Sequence, residues 1–226
     1  MTKTAQNPPA NATTRLGEDS GTPLTRLLSL AAVAGPILFV LAWLPAGLLR
    51  PGYSSVGQPI SALAIGPGGA LVRTAFILNG LLVALGAIAA FQGFKHSMGT
   101  AARLVCALAL LLPPLGMVWA GIFTMDTLAL HMVGVDLACA FPVIGFPVLG
   151  FSLRRLPAWR RLGTWIFLGG PLLTVALTIG LMQSVPLEQM AVGGGTFGLW
   201  QRALSIEVQT WFALLGWRAF RLAGNS

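Results

Sequence analysis

The sequence predicts an all-α integral membrane bundle of six transmembrane helices with both termini cytoplasmic. Three observations predict it. Charged residues make up only 9% of the 226 positions, against about 25% in a soluble domain. Apolar residues reach 55% and the mean hydropathy is +0.79, so too few polar side chains remain to cover a water-exposed surface. Apolar runs near the ~20 residues needed to cross ~30 Å of hydrocarbon recur six times.

The first 22 residues are rich in Thr, Asn, Pro and Gly and read as a disordered cytoplasmic tail. A polar stretch precedes the first apolar run and no small-residue cleavage site follows it, which is not the pattern of a signal peptide. The bundle occupies 23–222, with spans placed at about 27–49, 71–93, 102–125, 128–151, 162–183 and 199–220, and residues 223–226 form a short cytoplasmic end. A lipid-exposed backbone must satisfy its own hydrogen bonds, which makes each span a helix. Pro36, Pro45, Pro113, Pro114, Pro142, Pro147 and Pro171 mark bends within them.

Charge sets the orientation. Lys3, Arg15, Arg26, Lys95, Arg103, Arg154, Arg155, Arg160, Arg161, Arg218 and Arg221 collect on one side. The other side receives Arg50 and Arg73, with Arg202 just inside the sixth run. The richer side is expected to be cytoplasmic. The net charge of +8 is therefore a topology signal, and no nucleic-acid partner is expected. Most tryptophans fall near the ends of the runs, where an aromatic belt sits. Arginine outnumbers lysine 12 to 2, and abundant Ala, Gly and Leu accompany it; both point to a GC-rich bacterium. The expected location is the cytoplasmic membrane of a prokaryote.

Depth singles out the candidate functional residues. Asn79, Asp136 and Glu207 each lie about eight residues in from the external end, or ~12 Å deep at ~1.5 Å per residue. A charge in hydrocarbon costs about 2.5–3.5 kcal/mol on insertion scales, so these three are expected to face the bundle interior. Arg50, Arg73, His131 and Arg202 lie nearer the boundary, with Asp126 and Glu188 in or beside the external loops. Together they outline a polar pocket open to the outside, basic at its mouth and acidic at its floor. His131 and Asp136 are five residues apart, about 140° round a helix, and so are Arg202 and Glu207. Neither pair shares a face, and ion pairing is expected between helices, from Arg202 or Arg73 to Asp136.

Two chemistries fit these residues. In one, Arg50, Arg73 and Arg202 attract the anionic headgroup of a lipid or lipid-linked compound through the guanidinium fork. Tyr53, Ser61 and Gln201 lie beside them, and His131 with Asp126 and the Ser61 hydroxyl supplies an acid/base set for hydrolysis. In the other, Asp136 and Glu207 carry protons for a small-molecule transporter. An accessory subunit with no site at all is the third class. A single external histidine without HExxH spacing argues against zinc, Cys106 and Cys139 form no CxxC motif, and no glycine run opens a nucleotide loop. No metal and no cofactor are expected. Membrane lipids are the expected partners, and the oligomeric state is left open.

Four short motifs carry a resemblance. They are Tyr53 with Ile60-Ser61-Ala62-Leu63, Gly121-Ile122-Phe123 with Asp126, then His131, and Gly198 with Gln201-Arg202. Their order and placement resemble a family of small six-span prokaryotic membrane proteins catalogued as domain of unknown function 998, over roughly residues 27–222. Asp136 and Glu207 stand outside that pattern. The resemblance implies a six-span fold and places every motif on the external side, but it implies no activity.

Overall fold

The computed structural model describes residues 22–185, 189 and 192–224, and among them the chain is helical with no strand. Glu188 and nearly all of the N-terminal tail lie outside the described residues. Eight α-helices form six long segments: α1 (Pro23–Ser29) with α2 (Ala31–Leu49), α3 (Gly69–Gln92), α4 (Thr100–Ile122), α5 (Leu128–Val135) with α6 (Pro142–Leu153), α7 (Arg160–Ser184) and α8 (Phe197–Leu222). Short 3-10 turns at Ile60–Ala64, Lys95–Ser97, Met125–Thr127 and Pro157–Trp159 shape the connections.

Five of the six segments are long and apolar enough to cross a membrane. The last, α8, runs 26 residues but carries Arg202, Glu207, Arg218 and Arg221. Its polarity has a structural reason, because Arg202, Glu207 and Gln209 are all buried. Large apolar side chains cover the outside instead, including Leu41, Leu172 and Met182. Such a surface suits lipid, where an outward leucine loses nothing.

The first helix begins with Pro23 in its opening turn, where the missing N–H costs no hydrogen bond. Thr22 caps that turn by accepting the Thr25 N–H at 3.2 Å. The long segments then pack as a ring, α2–α3–α4–α6–α7–α8, closed by α8 against α2, with α3 also meeting α8 inside it. Both described ends of the chain lie at one end of the bundle. Arg26 stacks on the Phe220 ring, 4.5 Å from its centroid.

Close helix approach rests on small residues. A Cβ on Gly86 would lie 2.3 Å from the Ala32 backbone nitrogen, so α2 and α3 touch there only because residue 86 has no side chain. Two apolar clusters fill the interior. Near the terminal end, Phe94, Phe146, Leu149, Leu153 and Phe212 form one. Near the opposite end, Phe39, Trp43, Ile60, Val72 and Phe76 form the other. The first cluster anchors the bundle, and the second carries the loop that covers its far end.

The fourth segment is not one uniform helix. Asp136–Ala140 forms a π turn, closed by the Phe141 N–H donating to the Asp136 carbonyl at 2.8 Å. Pro142 accounts for it. Proline offers no N–H to the carbonyl four residues back and its ring collides with that carbonyl, so one extra residue is looped out instead.

Candidate functional site: a capped polar chamber

The far end of the bundle is closed by the connection between α2 and α3, residues 50–68. Two arginines hold it in place. Arg50 donates through one nitrogen to the carbonyls of Ala62 at 2.7 Å and Ile65 at 2.9 Å. Arg202, from α8, donates to the carbonyls of Ser55 at 2.6 Å, Gln58 at 2.9 Å and Gly198 at 2.8 Å. Its other terminal nitrogen donates to the Tyr53 hydroxyl. The Arg202 guanidinium also lies over the ring of Trp43, 5.2 Å from its centroid. At 7% exposure it is a buried cation whose charge is met by loop carbonyl dipoles and an aromatic face.

Tyr53 completes this clamp by sharing its own proton between the carbonyls of Gln58 at 3.2 Å and Pro59 at 3.0 Å. Burial pushes its phenol above the usual tyrosine range, while Arg202 and Arg50 pull it the other way. Gln201 accepts the Ile60 N–H at 2.7 Å. Gly198 lets the loop come this close, since a Cβ there would lie 2.2 Å from the Gln58 carbonyl oxygen. The Leu199 N–H then donates to the Val56 carbonyl at 2.9 Å.

Beneath the clamp is a chamber of about 30 Å³, lined by Ser61, His131, Gln201 and Ser205 among apolar neighbours. His131 is 3% exposed. Its Nδ1 lies 2.7 Å from the Phe123 carbonyl, which can only accept a hydrogen bond, so Nδ1 is the nitrogen that carries hydrogen. In the neutral ring Nε2 is then the acceptor, and it has no protein partner. Ser61 donates only to the soft Met125 sulfur at 3.1 Å.

A second void of about 20 Å³ lies beside the chamber and shares Met117, Ala138, Cys139 and Ser205 with it. Asn79 and Gln209 supply its polar lining. Asn79 is 1% exposed, and neither its oxygen nor its nitrogen has a protein partner. On the other side of Ser205 and Gln209 a larger groove of about 540 Å³ separates α2 from α8. Its lining is apolar apart from Ser205, Gln209 and Thr210, and its lips are the outward-facing Ile37, Leu41, Ile206 and Leu214.

A model of one protein family matches residues 33–218; it is described as protein of unknown function (DUF998). The chain belongs to the DUF998 family. No curated protein and no solved structure matches. The family resemblance drawn from the four motifs is thus shown, and three of the motifs meet at one end of this DUF998 chain. Tyr53, Gly198, Gln201 and Arg202 build the clamp, while Ser61 and His131 line the chamber that it covers.

The remaining sequence candidates fall elsewhere. Arg73 and Asp126 are exposed, and Asp126 accepts the Thr124 hydroxyl at 2.9 Å. Phe123, not Asp126, orients His131. Arg50 and Arg202 are both engaged by loop carbonyls, so neither stands free at an open mouth. Asp136 is exposed on the bundle surface at the start of the π turn, not turned into the interior as its depth led one to expect. Among the described residues no ion pair joins it to an arginine. Glu207 is buried against α7, with Thr174 Oγ1 at 3.1 Å from both carboxyl oxygens and the Trp211 indole donating to it. Neither acid lines the chamber, the second void or the groove.

Ser205 and Gln209 were not among the sequence candidates. A signal for them exists. Gly198, Arg202, Ser205 and Gln209 follow one another at spacings of four, three and four, a single stripe along α8.

Proposed function

We propose that this protein binds one lipid or lipid-linked compound, with its apolar chain in the groove between α2 and α8. Its polar portion meets the wall made by Ser205 and Gln209. The observation that carries this reading is the shared wall: Ser205 lines the groove, the second void and the capped chamber alike. An apolar groove with a few convergent polar groups is the usual form of a ligand site, and 540 Å³ falls within the ~300–1,000 Å³ of such sites. The groove opens between outward-facing leucines and isoleucines, which continue the surface that faces lipid. This moves the ligand from the arginine-lined mouth expected from sequence to the flank of the bundle.

The basic residues favour a location in a cell membrane with both termini in the cytoplasm and the clamp outside. The composition favours a prokaryotic source.

Native mass spectrometry of the gently solubilised protein tests the binding. The wild type should retain a discrete lipid mass, and Ala213→Trp, which fills the groove, should lose it. Equal occupancy in both, or none in either, overturns the proposal.

A further inference from the structure

Four buried polar atoms surround two adjoining voids with no protein partner: Nε2 of His131, Oδ1 and Nδ2 of Asn79, and Oε1 of Gln209. All three residues are more than nine-tenths buried, at 3%, 1% and 8% exposure. They belong to three different elements, α5, α3 and α8, so no single helix end or motif brings them together. Native interiors leave few such groups unmet, because each gives up water without a replacement. The Nε2 atom is an acceptor by the tautomer argument above, and Gln209 Oε1 is an acceptor by nature. Asn79 offers one acceptor and two donors. A ligand that meets all of them must both donate and accept.

Size limits that ligand. The voids measure about 30 and 20 Å³, and a single water needs ~10–15 Å³ by the same measure. Each has room for one or two waters and nothing larger. A buried water makes about three hydrogen bonds, and the lining offers them through Ser61, Gln201 and Ser205 beside the unmet atoms. The two voids share Met117, Ala138, Cys139 and Ser205, so one chain of hydrogen bonds can run through both.

We infer that Asn79, His131 and Gln209 bind a file of ordered water, running from the capped chamber to the Ser205–Gln209 wall of the groove. The file brings hydrogen-bonding capacity into the middle of an apolar bundle, beside the place where a lipid's chain is proposed to lie. It does not depend on that lipid, since every group in it belongs to the chain.

Radiolytic hydroxyl-radical footprinting on the full-length protein in nanodiscs tests it, because radicals formed from bound water oxidise the side chains beside it. Met117, which lines both voids, should be oxidised in the wild type. Its rate should fall severalfold in Asn79→Leu and, independently, in Gln209→Leu, while Met98 at the opposite end keeps its rate. Protection of Met117 in the wild type at doses that oxidise Met98 overturns the inference without any variant. An unchanged Met117 rate in whichever variants fold overturns it as well. Lipid occupancy read by mass is a separate signal, so loss of the lipid proposal leaves this one standing and the reverse.

Discussion

Arg202 grips Tyr53 in two ways at once: its guanidinium donates to the tyrosine hydroxyl and lies 5.6 Å from the ring centroid. The two residues are separated by most of the chain, so this contact ties the start of α8 to the first loop. Because the hydroxyl in turn donates a hydrogen bond shared by the carbonyls of Gln58 and Pro59, Tyr53 links the buried cation to the loop backbone. The clamp is then a single unit whose parts fail together.

Arg202→Lys should therefore be nearly as damaging as Arg202→Ala. An ammonium cannot reach three carbonyls and a phenol at fixed angles as a planar fork does. Hydrogen bonds to a charged group are worth about 1.5–3 kcal/mol each, and the orphaned carbonyls add their own cost. Thermal unfolding in detergent should show a loss of at least about 2 kcal/mol for both variants. Wild-type stability in Arg202→Lys would show that charge alone suffices.

Gly198→Ala should destabilise by about 1–3 kcal/mol, the range for overpacking a tight contact. The added methyl meets a backbone oxygen at 2.2 Å, which no rotamer change can relieve. The same thermal assay measures it, and Leu199→Ala, exposed on the same helix, is the matched control.

Tyr53 is the only tyrosine in the chain, so tyrosinate absorbance reports it alone. Its folded pKa is raised by burial above the ordinary ~10. The fold therefore keeps the neutral phenol, and that part of its stability is fully present below pH ~10. It is lost as pH climbs through the higher folded value. The native absorbance titration should lie alkaline of the unfolded one, and Tyr53→Phe should remove this contribution to alkaline unfolding. Coincident native and unfolded titrations would contradict it.

Asp126→Asn and Arg73→Ala should each shift stability by less than about 0.5 kcal/mol, as surface changes usually do. His131→Ala should cost clearly more, since it leaves the Phe123 carbonyl unpaired. That ordering, read in one thermal series, distinguishes a histidine oriented by Phe123 from one oriented by Asp126.

The helical architecture was legible in composition and run length. The last helix was legible from the length of its run, although Glu207 and Gln209 interrupt the apolarity of that run. The wheel separated His131 from Asp136 and Arg202 from Glu207, and in the structure His131 is buried while Asp136 is exposed. Arg202 and Glu207 are both buried but face different neighbours, the loop and α7. What sequence did not disclose is the use of each arginine. Arg50 and Arg202 look like anion receptors until the loop is folded back over them, because their acceptors are backbone carbonyls with no signature in residue type. Ser205 and Gln209 passed unnoticed for a similar reason: a serine and a glutamine carry no charge to mark their depth.

The π turn at Asp136–Ala140 has a consequence for evolution and for engineering of this chain. A full extra residue amounts to about 100° of rotation. Above it, α5 packs on α4; below it, α6 packs mainly on α7 and also on α4. The two halves of this segment thus meet different partners because its phase is reset midway. Deleting a single residue from the turn would change the phase of α5 against α6 by about that rotation, so the two halves would not both keep their present packing. The segment is tuned by residue number as much as by residue type.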